Sequence, residues 1–223
     1  MRANFLEFLR TALLILGALF PIVNPLGNAP IFLTLTREFS SATRASLARR
    51  IAVNGFFLLI ASILIGTHIL AFFGISLPVV QVAGGMVVLA TSWNTLTRRD
   101  DDEDGFHETR RPPNATDLSK RAFYPLTLPL TVGPGSISVA IAVGANRPQG
   151  TQTDLPVLAA TLAGAALLAV TVYLSYRFAD SIARLLGATA MNVVTRLSSF
   201  ILLCIGVQIA WNGLSALLRS VIR

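Results

Sequence analysis

Two short polar stretches interrupt an otherwise apolar chain, and their residues are those that could recognise a solute. The first runs from Pro21 to Pro30 and holds three prolines, a glycine and two asparagines inside an apolar segment from Phe5 to Thr36. The second, from Pro129 to Ser136, holds two prolines, two glycines, a threonine and a serine. Each proline removes a backbone donor and collides with the carbonyl one turn back. Because a freed carbonyl in hydrocarbon must be satisfied by protein or water, both stretches are predicted to be helix breaks facing the interior or a wet cavity.

The chemistry available at such breaks suits a small neutral solute. The start of a half-helix offers free N–H groups and a positive dipole end to a carboxylate, while unwound carbonyls suit an ammonium or a cation. A zwitterionic amino acid needs both. The predicted substrate-binding residues are Asn24, Pro25, Gly27, Asn28, Pro30, Thr131, Gly133, Pro134, Gly135 and Ser136.

The composition is that of a membrane protein. Of 223 residues, 53% are hydrophobic and 13% are charged, about half the charged fraction of a soluble domain. The net charge of +7 would suit nucleic acid, but the basic residues lie in short segments between apolar runs, as in cytoplasmic loops. Nucleic-acid binding is therefore not expected. The single Cys204 excludes a disulfide framework and a cysteine metal site.

Six apolar spans are predicted. The segment from Phe5 to Thr36 would be about 48 Å long as one helix, too long for a hydrocarbon core of about 30 Å. Either it is one broken span, or a retained spanning helix is followed by a short re-entrant piece. Ser40 or Ser41 is expected to cap the next helix. The other spans are placed at about 51–73, 77–96, 122–145, 155–176 and 194–218.

The two halves of the chain match. Trp93-Asn94 lies at the end of the third span and Trp211-Asn212 at the end of the sixth, and each half opens with a broken segment. This predicts two three-span repeats, 1–97 and 122–223, joined by a charged loop at 98–121 that is expected to be mobile. Three spans per half make the repeats inverted, and inverted repeats with matching broken helices are typical of secondary transporters.

The distribution of basic residues orients the chain. Thirteen of the 18 basic residues lie on the side of the charged loop, so the positive-inside rule places that loop in the cytoplasm and both termini outside. The thirteen are Arg37, Arg44, Arg49, Arg50, Arg98, Arg99, Arg110, Arg111, Lys120, Arg121, Arg177, Arg184 and Arg196.

The spans favour transport over catalysis. They contain no metal-ligand cluster and no nucleophile–base pair, so neither an enzyme nor a cofactor is expected. No Asp, Glu, Lys or Arg lies deep in a span, which argues against a buried carboxylate proton carrier and a highly charged substrate. A coupling ion would have to use carbonyls, hydroxyls or His68, for which a structural role is favoured. The oligomeric state is open, and the alternative function is a non-transporting membrane scaffold or accessory protein, whose breaks would pack dry.

At the two breaks the sequence resembles the MarC family of bacterial and archaeal membrane proteins. The resemblance is carried by Asn24-Pro25-Leu26-Gly27-Asn28-Ala29-Pro30 with the following 31–36, and by Pro129-Leu130-Thr131-Val132-Gly133-Pro134-Gly135-Ser136-Ile137. It covers essentially the whole chain, although the long acidic central loop departs from the family pattern. It implies an all-α polytopic transmembrane bundle in the inner membrane that moves small neutral solutes such as neutral amino acids. It does not imply drug efflux.

Overall fold

The computed structural model describes residues 2–97, 118, 120–146 and 155–222, and within them all regular structure is helical. The all-α prediction is confirmed. Most of the predicted charged loop lies outside the described residues. The helices are α1 Arg2–Val23, α2 Pro25–Leu35, α3 Ser41–Phe72, α4 Leu77–Thr97, α5 Ala122–Thr131, α6 Pro134–Ala145, α7 Leu155–Arg177 and α8 Ala179–Ile222.

The predicted number of spans is confirmed when α5 and α6 are taken as one. Among the described residues, five helices are long and apolar enough to cross a membrane, and α5 with α6 forms a further pair bent by 68°. In the first half, α1 is long enough by itself, and the 11 residues of α2 reach only about 16 Å. The first segment is therefore a spanning helix followed by a short helix, which was the second of the two alternatives.

Two helices extend beyond the spans predicted for them. α3 begins at Ser41, and the Ser40 hydroxyl accepts a hydrogen bond from the Thr43 N–H at 3.2 Å, so the predicted cap of this helix is confirmed. α8 begins at Ala179, well before the predicted sixth span, and bends at Gly187, where φ is 74°. The charged first turns of both helices lie outside the most apolar stretch of each, so each helix is longer than the apolar span that it contains.

Small residues let the helices approach closely. A Cβ placed on Gly85 of α4 would lie 2.7 Å from the carbonyl oxygen of Gly206 in α8. The backbones of α4 and α8 therefore touch, the contact that membrane helices use because lipid gives no hydrophobic drive for association. Leu19 of α1, Leu59 of α3 and Leu168 of α7 form part of the buried hydrophobic core.

The packing pairs largely repeat when the two halves are exchanged. α1 packs on α7 as α5 packs on α3, α2 packs on α7 as α6 packs on α3, and α2 packs on α8 as α6 packs on α4. In this exchange α1, α2, α3 and α4 are replaced by α5, α6, α7 and α8, so the pairs α3–α7 and α4–α8 stay the same. A duplication would give this pairing, while the inverted orientation of the repeats stays a prediction.

Candidate functional site

The first break lies between α1 and α2 and is closed by Asn24. Its backbone is left-handed, with φ 45° and ψ 56°, a conformation that asparagine tolerates better than most residues. Its Oδ1 accepts a hydrogen bond from the Gly27 N–H at 3.2 Å and so caps α2. Pro25 occupies the first helical position, where no N–H is needed. Asn24 thus ends one helix and starts the next.

Gly27 allows α2 to lie against α8. A Cβ placed on Gly27 would come within 2.6 Å of the Ser198 Cβ and would also collide with the Asn24 side chain. A larger residue would therefore push α2 away from α8 and disturb the cap. Pro30, half-buried one turn further along α2, lacks the N–H that would bond the Leu26 carbonyl.

The second break lies between α5 and α6. Tyr124 and Leu128 have extended backbones inside α5, as expected for residues that precede a proline. The hydroxyls of Thr127 and Thr131 donate to the carbonyls five residues earlier, at 2.6 and 2.8 Å, and so satisfy polar groups in these wide turns. α6 then starts after Gly133, which has no side chain with which to cap it.

The side chain of Asn28 joins the two breaks. Its Nδ2 donates to the Val23 carbonyl at 2.9 Å and to the Leu130 carbonyl at 3.0 Å. Val23 is the last residue of α1 and Leu130 is the next to last of α5. One amide group therefore satisfies a carbonyl from each half of the chain, and the two breaks meet.

We call the place where the two breaks meet, at Asn28, Leu130 and Thr131, the junction. Tyr176 of α7 also contributes to it. Its hydroxyl lies 2.9 Å from Thr131 Oγ1, and because that threonine donates its own proton to the Leu126 carbonyl, Tyr176 is the donor. The Tyr176 ring stacks on the Phe32 ring of α2, with centroids 4.6 Å apart and planes at 6°. Neither aromatic residue was predicted as a site residue. A tyrosine at the end of a packed span needs a hydroxyl partner, and this signal could have identified Tyr176.

The remaining predicted site residues lie away from the junction. Gly135 packs against Val88 of α4, where a Cβ would collide. The Ser136 hydroxyl donates to the Gly133 carbonyl at 2.9 Å, within its own turn, and Pro134 is exposed. Of the second break, Thr131 therefore faces the first break, while Gly135 faces α4.

The junction lies near one end of the bundle. Tyr176 is the next to last residue of the 23-residue α7. At the same end an ion pair between Arg44 and Asp180 connects the starts of α3 and α8, and the Arg121 guanidinium lies 5.9 Å from the centre of the Phe39 ring. This is the basic end of the described chain, and the contact of Tyr176 with Thr131 lies at this end of α7.

The cavity beside the junction is small and almost entirely apolar. Its volume of about 10 Å³ is roughly the room that one water molecule needs. Thr131 is its one polar side chain, and the other lining residues are Val23, Ile51, Ala52, Gly55, Phe56, Leu59, Val132, Leu168, Ala169 and Val172. In this structure the breaks are thus closed on one another.

The described residues contain no group of three or more His, Cys, Asp or Glu side chains that could hold a metal ion. His68 is exposed and lies four residues before the end of α3 at Phe72. The polar groups at the junction are amides, hydroxyls and backbone carbonyls, which recognise solutes by hydrogen bonds.

Comparison with known proteins identifies relatives along nearly the whole chain. The model of the MarC family integral membrane proteins matches residues 9–218. A UPF0056 membrane protein, YvbG of Bacillus subtilis, is 32% identical over 202 residues, which cover 90% of this chain and 92% of the relative. A UPF0056 membrane protein of Archaeoglobus fulgidus is 33% identical over 205 residues, 91% of each chain.

A bacterial relative is described by its location. The UPF0056 inner membrane protein MarC of Escherichia coli is 30% identical over 208 residues, which cover 92% of this chain and 94% of the relative. No solved structure matches the chain. The helices of the described residues make it a multi-pass membrane protein. With the family model matched from residue 9 to residue 218, the chain belongs to the MarC family of integral membrane proteins.

Proposed function

We propose that this protein transports small neutral solutes, such as neutral amino acids, across the inner membrane, and that it is not an enzyme. The observation that carries the proposal is the Asn28 amide, whose two N–H groups bond one carbonyl from each broken segment. A polar contact between the two halves is therefore made at the broken ends, where secondary transporters bind their substrates.

The Asn28 amide occupies the groups that a solute would use. Its N–H groups donate hydrogen bonds to the carbonyls of Val23 and Leu130. An ammonium group has three N–H donors that could do the same. If the side chain of Asn28 moves away, these carbonyls can accept an amino group. The start of α6 has no side-chain cap, so its first N–H groups suit a carboxylate. A zwitterion would thus be matched without a charged side chain.

In this proposal the junction is a closed gate. It lies between the basic end of the bundle, with Arg44 and Asp180, and the small cavity beside Val132. Opening requires α2 to separate from α5, which would break the Asn28–Leu130 bond. The exchange of packing pairs between the halves supports an inverted duplication, in which the other end of the bundle would open by the equivalent movement.

The proposal is tested by reconstituting the full chain in liposomes and measuring counterflow of glycine, alanine and serine. Flux of at least one solute is expected, and Asn28→Leu should reduce it about tenfold. The variant loses the interhelical hydrogen bond that closes the gate, worth about 1–2 kcal/mol, so the open form is favoured and the return through the closed form is slowed. Thr34→Val is the matched control, since Thr34 is exposed on α2 and its hydroxyl bonds only the Pro30 carbonyl. If no solute moves and none changes the thermal stability, the proposal fails.

A non-transporting scaffold is the second candidate, and the closed junction favours it. A cavity of about 10 Å³ with one polar side chain is what a dry packing contact would leave. This candidate predicts that the protein moves no solute and that Asn28→Leu lowers its stability only. Solute-dependent protection of the folded protein against heat would exclude it.

We also propose that both termini lie outside the cytoplasm. The basic end of the bundle, which includes Arg44, Arg121 and Arg177, would then face the cytoplasm. A cysteine placed near the start or end of a Cys204→Ser chain should react with a membrane-impermeant maleimide added to intact cells. If neither terminal cysteine reacts with the maleimide, both termini lie in the cytoplasm and the proposed orientation is wrong.

A further inference from the structure

An exposed stripe of α8 carries two amide side chains. Leu197, Ile201, Cys204, Gln208 and Asn212 recur at helical spacing, and all are exposed. The opposite face of α8, with Gly206, Ala210 and Gly213, packs against α4. We call the exposed set the amide stripe. Within the part of the chain that the structure describes, no other helix covers it.

Gln208 lies at the depth of the hydrocarbon core. Gly85 of α4 contacts the backbone of Gly206 and Ala210, so Gln208, which lies between them in α8, is level with Gly85. Gly85 is eight residues from the start of α4 at Leu77, which is about 12 Å along a helix. The whole of α4, with 21 residues, is about 31 Å long. Gln208 is therefore well inside the span, on a face that would otherwise contact lipid.

The two amides leave most of their hydrogen-bonding capacity unused. Gln208 Nε2 donates to Asn212 Oδ1 at 2.8 Å, and the two side chains make no other hydrogen bond to the described residues. A primary amide has two N–H donors and an oxygen that accepts two bonds. One N–H and the oxygen of Gln208, and both N–H groups of Asn212, thus lack partners. An unpaired amide is costly in hydrocarbon, so a polar partner for Gln208 is expected on this face.

We infer that the amide stripe binds a second copy of this chain, with α8 packed against α8 about a two-fold axis along the membrane normal. Two copies inserted in the same orientation bring equal residues to the same depth, so Gln208 meets Gln208. An amide is both donor and acceptor, which makes this contact self-complementary, as a two-fold interface requires. The exposed midsection of α7, with Leu167 and Val170, is apolar and suits lipid.

The native cysteine makes the inference testable in the unmodified chain. Cys204 is the only cysteine and lies one turn before Gln208 on the same stripe. A short bis-maleimide crosslinker applied to native membranes should give a covalent homodimer, identified by its mass. A Cys204→Ser, Leu167→Cys chain is the collision control, because Leu167 is exposed near the middle of α7, and it should give little dimer.

A second pair of variants tests the role of the amides. Gln208→Leu with Asn212→Leu keeps Cys204 and should weaken dimerisation about tenfold, since interhelical amide bonds would be lost. Asn94→Leu, which removes an exposed amide from α4, should leave it unchanged. The inference is wrong if the Leu167→Cys control crosslinks equally well, or if Cys204 crosslinks only to a different protein or not at all. An unchanged amount of dimer in the Gln208→Leu, Asn212→Leu variant would also overturn it. None of these results depends on transport.

Discussion

The two breaks differ in how their backbone groups are satisfied. In the first, Asn24 caps α2 and Asn28 bonds the last carbonyl of α1, so both sides of the break have partners within it. In the second, α6 has no side-chain cap, and the Leu130 carbonyl is bonded by Asn28 of the first break. The first break is therefore self-sufficient, and the second depends on the first.

This difference indicates which of the two breaks would lose hydrogen-bond partners if the breaks separated. A break that satisfies its own groups can move as a unit without exposing unpaired polar atoms. The second break, once separated from Asn28, presents a free carbonyl at Leu130 and an uncapped start of α6. Under the proposed function, these are the groups that a solute replaces.

Asn28→Leu is expected to have the largest effect, because it removes the one side chain that serves both breaks. Two carbonyls, of Val23 and Leu130, lose their partner, and each unsatisfied group costs about 1–3 kcal/mol. We expect the free energy of unfolding in detergent to fall by about 3 kcal/mol. Thr34→Val on the same helix should change it little. An equally small effect of Asn28→Leu would show that the breaks are not coupled through this amide.

Asn24→Ala is expected to cost less, since it affects the first break only. It removes the cap of α2, worth about 1 kcal/mol, and places alanine in a left-handed conformation, which costs about 1 kcal/mol more. Asn24→Gly is the informative comparison, because glycine accepts φ 45° and loses only the cap. Denaturant titration should rank the wild type and Asn24→Gly above Asn24→Ala. Identical stabilities of the alanine and glycine variants would exclude the backbone contribution.

Tyr176→Phe is expected to weaken the second break. The variant keeps the stacked ring against Phe32 and removes the hydroxyl that donates to Thr131, so the loss should be about 1 kcal/mol. Tyr173→Phe, one turn earlier on α7 and half-buried, is the control. If the two variants lose equal stability, the Tyr176–Thr131 bond contributes nothing specific to the junction.

The breaks could be predicted from the sequence, but the residue pairs that join them could not. Proline, glycine and asparagine act on the backbone within one turn, so Asn24 and Gly133 mark helix ends by themselves. The bond from Asn28 to Leu130 joins residues 102 positions apart, and the stacking of Phe32 on Tyr176 likewise depends on how α2 packs against α7. No local pattern encodes such pairs. The start of α3, by contrast, could be predicted, because Ser40 caps the helix through a hydrogen bond within its own first turn.

Gly133→Ser is expected to have the smallest effect on stability and the most selective effect on function. It gives the second break the side-chain cap that the first has, worth about 0.5–1 kcal/mol. The gain is partly offset, because a Cβ at Gly133 would lie 3.1 Å from the Pro129 carbonyl oxygen. If the free N–H groups of α6 bind a carboxylate, the serine hydroxyl competes with it, and counterflow of alanine should fall several-fold while the protein stays as stable as the wild type. Unchanged counterflow in a fully folded Gly133→Ser protein would remove the start of α6 from the solute site and leave recognition to the carbonyls that Asn28 covers.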